Sequence, residues 1–286
     1  MRALKQFTDL ILYSNVFISL CAAAASYETF LLAGRAEHPY LIFVFCSTFV
    51  FYNGQRILLA RDHESPGSSE RHKWIARHIR LLALLCVIAF SAAFPLAMKW
   101  DWDLIVLFGL FSFLASLYFI PGISLRAVPG LKAAYVSLLW AFSTVVFPLM
   151  LIKGHPVYSF PGAFGYLLAL ERFFFLFALC IVFNIRDMEY DRGTGVRTIP
   201  ILFGTRATRL LAALMMLVFA GLVIYRSYFS DTGLQAYAPA LLVSAALSLF
   251  VLFATNEKRG EYYYILVIDG MILLQAILVF STEVFS

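Results

Sequence analysis

Nine stretches of this chain are long and apolar enough to cross a lipid bilayer, at residues 10–33, 40–60, 79–98, 104–120, 133–152, 164–184, 207–225, 236–254 and 262–280. A hydrocarbon core takes roughly 20 helical residues. Inside it every backbone polar group must be satisfied internally, which leaves only helices or closed barrels. These runs are continuous rather than alternating, so they predict helices and not barrel strands. The expected fold class is all-α: a bundle of nine transmembrane helices in one polytopic domain over residues 1–286. A hydrophobic content of 62% lies well above that of a soluble domain.

Lysine and arginine set the orientation, because short cytoplasmic loops carry their excess. One side receives Arg2 and Lys5, then Arg56, Arg61, Arg71, Lys73, Arg77 and Arg80, then Arg126 and Lys132. It also receives Arg186, Arg192, Arg197, Arg206 and Arg209, and finally Lys258 and Arg259. The other side has Arg35, Lys99, Lys153 and Arg226. The N-terminus is therefore expected in the cytoplasm and the C-terminus outside, in a multi-pass protein of the cell (inner) membrane. The longest polar loop, residues 61–80, belongs to the cytoplasmic side. A net charge of +5 does not make nucleic acid a partner, since the basic residues follow topology rather than one face.

Cys21, Cys46, Cys86 and Cys180 lie inside apolar runs without paired spacing, which suggests neither a zinc site nor a disulfide framework. The five histidines lack ligand spacing and read as surface residues. The start of the chain has the basic end and apolar stretch of a signal peptide, but Asn15 interrupts the stretch and eight further runs follow.

The segment `NIRDMEYDRGTGVRTIP`, residues 184–200, gathers charge at the end of the sixth run. On a helix leaving the membrane, Asn184, Asp187 and Asp191 share one face. Oxygen ligands of this kind suit Mg²⁺, which takes one or two carboxylates and completes its shell with water and phosphate oxygens. Arg186, Arg192 and Arg197 offer phosphate contacts. Spacing alone leaves a second reading open, in which these acids and bases pair with each other beside a membrane.

The longer stretch `NIRDMEYDRGTGVRTIPILFG` resembles the second aspartate-rich motif of the UbiA superfamily of intramembrane prenyltransferases: a DxxxD pair followed by a basic residue, Thr and Pro. Asn184, Asp187, Asp191, Arg192, Gly195, Arg197, Thr198, Pro200 and Gly204 carry the match. The resemblance covers the whole chain, since that family has nine helices and motif loops after the second and sixth. It implies Mg²⁺ on Asp187 and Asp191, an isoprenyl diphosphate as substrate, and Asn53, Tyr118, Arg126, Lys132, Asn184, Arg192 and Arg197 as diphosphate contacts.

The family's first motif, NDxxDxxxD, is not intact. In `YNGQRILLARDH` Asn53 matches, but Gly54, Ile57 and Arg61 stand at the aspartate positions, and Asp62 falls on the opposite face of a continuing helix. Ligands for a second Mg²⁺ are missing, while Arg56 and Arg61 add cationic donors that suit phosphate or simply mark topology. Asn15 and Asp269 lie at similar depth and are expected to line the cavity. Glu28 lies toward the outer end of its run, outside the site, and Glu171 and Arg172 are expected to serve helix packing.

Two functions remain open at this point. One is a prenyltransferase moving an isoprenyl group to a hydrophobic acceptor in the lipid bilayer with Mg²⁺ assistance. The other is a non-catalytic membrane protein of the same fold that binds isoprenoid or lipid diphosphates. A secondary transporter is disfavoured, because no pair of Gly- or Pro-interrupted spans repeats between the halves.

Overall fold

The computed structural model describes residues 2–35, 38–58, 70–117, 131–152, 162–193, 197–229 and 234–285. Arg61, Asp62, Tyr118 and Arg126 lie outside the described residues. Among those residues the regular structure is entirely helical: the protein is an all-α membrane protein.

The first apolar run is broken. Helix α1 (Arg2–Tyr13) and helix α2 (Val16–Leu32) meet at Asn15, whose φ of 64° is left-handed, and their axes bend by 57°. Asparagine tolerates that conformation better than most residues. Its carbonyl then accepts the Ser19 N–H (3.1 Å) and the Ser19 hydroxyl (2.8 Å), which starts α2.

The second and third runs form α3 (His38–Leu58) and α4 (Glu70–Ala97), and the fourth forms α5 (Trp102–Leu117). The fifth is α6 (Leu131–Ala141), a π-turn at Phe142–Val146 and α7 (Phe147–Leu151). Its irregularity follows from Pro148, which has no N–H to give the carbonyl four residues earlier. That carbonyl, of Thr144, accepts the Thr29 hydroxyl of α2 at 2.6 Å instead.

The chain continues as α8 (Gly162–Phe183), the short α9 (Met188–Gly193) and α10 (Ile199–Phe229), which kinks at Gly204. Gly204 has φ 80° and ψ 165°, a backbone conformation that only glycine adopts readily. Helix α11 (Ala238–Ala254) follows, then a π-turn at Tyr263–Ile268 that leads into α12 (Gly270–Phe285).

Among the described residues seven helices are long and apolar enough to cross a membrane, or eight if the bent α1–α2 pair counts as one span. The expected nine are therefore not all met by length. The shortfall is α5, described over only 16 residues.

Helix α2 packs on α3 and α12, α12 on α11, α11 on α10, α10 on α8, and α8 on α6, whose π-turn returns to α2. This ring leaves α4 packed outside on α3. Large apolar side chains such as Val87, Phe90 and Phe94 on α4 and Leu214 and Leu217 on α10 are exposed, as a lipid-facing surface requires.

Two buried ion pairs bind the ring on its far side from Asn15. Arg172 of α8 meets Glu28 of α2 at 3.0 Å, and Arg226 of α10 meets Glu171 of α8 at 2.6 Å, with all four side chains at most 2% exposed. Helix packing was expected of Glu171 and Arg172, and each has a partner on a different helix. Glu28 joins them, away from the candidate site.

Candidate functional site

The charged segment does not continue α8 as one helix. After Phe183 the N–H groups of Asn184, Ile185 and Arg186 reach back only three residues, at 3.3, 3.0 and 3.2 Å, in a tightened turn. The expectation of one face shared by Asn184, Asp187 and Asp191 on a continuing helix is corrected to that extent. The Asp191 N–H bonds to the Asp187 carbonyl at 2.8 Å, so the two aspartates still stand one helical turn apart. Asn184 and Asp191 are each 5% exposed.

Asp187 is held by cations. Arg186 donates Nε to Oδ1 (2.7 Å) and Nη2 to Oδ2 (3.2 Å), a two-pronged contact, and Lys132 Nζ lies 3.9 Å from Oδ2. Burial alone would raise the Asp187 pKa, but Arg186, Lys132 and Arg56 outweigh it and hold it down at about 2. The carboxylate is thus ionised throughout the neutral range. Arg186, read from sequence as a phosphate contact, grips Asp187 through two of its nitrogens, with its guanidinium 4.2 Å over the Phe183 ring. Arg192 and Arg197 are exposed.

Asn53, expected as a diphosphate contact, and Asn15, expected to line the cavity, are bonded to each other. Asn53 is fully buried: its Nδ2 donates to the carbonyls of Ser14 (2.8 Å) and Phe49 (2.9 Å), and its Oδ1 accepts Asn15 Nδ2 at 2.9 Å. Both amide hydrogens are donated to backbone carbonyls, so Asn53 braces the α1–α2 break. Asn15 is 1% exposed, and its Oδ1 accepts a short hydrogen bond from Arg71. Asn53→Ala should leave the Asn15 amide and the Ser14 carbonyl without a buried partner and destabilise the protein by about 1–3 kcal/mol. Thermal unfolding of the detergent-purified variant measures this, and an unchanged midpoint would contradict the bracing role.

Arg71, at the start of α4, is a site residue that sequence reasoning missed, because an arginine in a polar cytoplasmic loop reads as a topology signal. It is 8% exposed, and the charges of Arg56 and Arg186 act on it. Asp269 follows the π-turn of the last span, where its N–H reaches back five residues to Tyr264 O at 3.3 Å. Both Arg186 and Arg71 act electrostatically on Asp269. Residues from α3, α4, α6, the turn after α8, and the last span thus interact at one end of the bundle.

The acidic donors suit one divalent ion and not two. Asp187 and Asp191 offer carboxylate oxygens one turn apart. Among the described residues no third carboxylate, histidine or cysteine joins them. Two protein carboxylates, with water and phosphate oxygens completing the shell, is the usual provision for Mg²⁺.

No protein-family model matches the chain, and no curated protein matches it. Solved structures do. A UbiA homologue from Archaeoglobus fulgidus bound to GPP and Mg²⁺ superposes with a TM-score of 0.68 over 96% of this chain and 98% of its own, at 11% identity. The apo UbiA homologue from Aeropyrum pernix K1 gives 0.63 over 95% and 97%, at 16% identity. The structure of a digeranylgeranylglyceryl phosphate synthase gives 0.57 over 99% and 100%, at 15% identity. The chain is an integral, multi-pass helical membrane protein with the fold of the UbiA homologues.

Proposed function

We propose that this protein is a UbiA-superfamily prenyltransferase, which moves an isoprenyl group from its diphosphate to a hydrophobic acceptor drawn from the bilayer. The observation that carries this reading is the Asp187–Asp191 pair, one turn apart beside Lys132 and Arg56, at the end of a span in a fold shared with homologues bound to GPP and Mg²⁺. Asp187, Asp191 and Asn184 would hold one Mg²⁺, which when bound neutralises charge on the departing diphosphate. Lys132 and Arg56 bind and orient the phosphates. Arg61, Tyr118, Arg126, Arg192 and Arg197 complete the proposed phosphate-facing set. Ionisation breaks the C1–O bond of the substrate, and the acceptor's nucleophilic atom then forms the new bond to C1 and sheds its proton.

Thermal-shift titration of the purified protein with geranyl or farnesyl diphosphate and Mg²⁺ tests the binding half of this reading. Stabilisation that Asp187→Asn abolishes supports it; equal stabilisation of wild type and variant contradicts it. The non-catalytic reading is favoured by Gly54, Ile57 and Arg61 at positions where the family has acids. Binding without turnover would decide for it.

The proposed orientation puts the site at the cytoplasmic face of the inner membrane. Single cysteines at Ser68 and Asn256 should label from the cytoplasm, and those at Gly154 and Ser286 from outside. Labelling of Ser68 and Gly154 from the same side would contradict this topology.

A further inference from the structure

Two guanidinium groups at this site each hold a buried nitrogen whose N–H nothing accepts. Arg71 Nη2 donates to Asn15, yet its Nε is buried without a partner. Arg186 holds Asp187 through Nε and Nη2, and its Nη1 is likewise buried and unpartnered. Arg56 and Arg186 both act against the charge of Arg71; Glu261 and Asp269 act in its favour.

Buried cations set against one another are unfavourable unless an anion compensates them. The fold nevertheless fixes Arg71 in this position, through Asn15 in its left-handed conformation and Asn53 behind it. An arrangement that holds unused N–H donors among clustered guanidinium groups is built for a ligand with several negative charges and several acceptor oxygens. Phosphate groups have both, and the planar guanidinium fork matches their geometry. At the positions where the family it resembles has its first set of aspartates, the neighbouring stretch has Gly54, Ile57 and Arg61.

We propose that Arg71, with Arg56 and Arg186, forms a phosphate cradle that replaces a metal ion, so that this protein binds isoprenyl diphosphate in part without Mg²⁺. The inference rests on the prenyl diphosphate reading above and adds to it a metal-independent component of affinity and a binding residue, Arg71, outside either aspartate motif. Magnesium on Asp187 and Asp191 then strengthens a complex that the cradle has already begun to hold.

The test is calorimetric or thermal-shift titration of the full-length protein in detergent, in EDTA and separately in Mg²⁺, with geranyl diphosphate, inorganic pyrophosphate, geraniol or phosphatidic acid micelles as the probe. The wild type should bind geranyl diphosphate and pyrophosphate in EDTA, more tightly with Mg²⁺, and should not respond to geraniol. Arg71→Gln should weaken binding in EDTA by about tenfold or more, the scale of a lost charge-assisted contact. Arg71→Lys, which keeps the charge but not the fork, should fall between the two. Wild-type binding that appears only with Mg²⁺ overturns the cradle and leaves the prenyltransferase reading standing, a comparison that needs no variant to fold. A response to phosphatidic acid equal to that with geranyl diphosphate, or Arg71→Gln binding like wild type in EDTA, also overturns it. No binding of geranyl diphosphate under either condition removes the prenyl diphosphate reading itself.

Discussion

Asp191→Asn is expected to lower isoprenyl transfer by about a thousandfold or more. The estimate follows from the several kcal/mol that a metal ion contributes to stabilising charge at a phosphate, with each 1.36 kcal/mol worth about a factor of ten. A neutral amide is a poor substitute for an anionic oxygen on Mg²⁺, and Asp191, 5% exposed, has little room to recruit a replacement ligand. Asp187→Asn should cost a similar factor and do something further, because it also removes the anion that Arg186 grips through two nitrogens. Initial rates with radiolabelled substrate at saturating Mg²⁺ measure both. If the two acids serve only to balance neighbouring bases beside the membrane, both variants will turn over as the wild type does.

The largest effect on stability is expected far from this site. Glu171→Ala removes both carboxylate oxygens that Arg226, a fully buried guanidinium, donates to, and should destabilise the protein by about 3–5 kcal/mol. Replacing both partners with apolar residues of similar size, Glu171→Leu with Arg226→Met, should recover most of the loss, because a buried pair contributes less than the isolated charge costs. Thermal unfolding of the two proteins in detergent separates these outcomes. A double variant as unstable as the single one would show that the pair itself holds α8 to α10.

The spans were legible because lipid imposes one requirement on every residue of a run, and twenty apolar residues in sequence satisfy it visibly. What interrupts them was less legible. Asn15 could be seen to break the first run, but not that its left-handed backbone would bend the run and aim its side chain at Asn53 and Arg71. Pro148 marks where a helix must be irregular, whereas the Thr29 hydroxyl that accommodates it comes from more than a hundred residues earlier. The site divides in the same way. Asp187 and Asp191 are four residues apart, and local spacing is enough to bring them together. Arg71 depends on contacts with α2 and α3 that no local pattern records, and its partner choice appears only once the bundle is assembled. Arg186 was visible as a basic residue in the motif, yet its grip on the neighbouring carboxylate appears only in the geometry: Nε and Nη2 reach both oxygens of Asp187, and Nη1 is left over.

The central claim is that this bundle transfers isoprenyl groups, and the release of pyrophosphate tests it most directly. Purified protein in lipid nanodiscs is incubated with radiolabelled isoprenyl diphosphates of several chain lengths, Mg²⁺ and a panel of hydrophobic acceptors. Pyrophosphate and the labelled product are then quantified together. The account predicts equimolar pyrophosphate and labelled product with at least one donor and acceptor pair, both lost on EDTA treatment and in Asp191→Asn. Tight binding of the same diphosphates with no pyrophosphate released from any of them would contradict it and assign the protein a binding role alone.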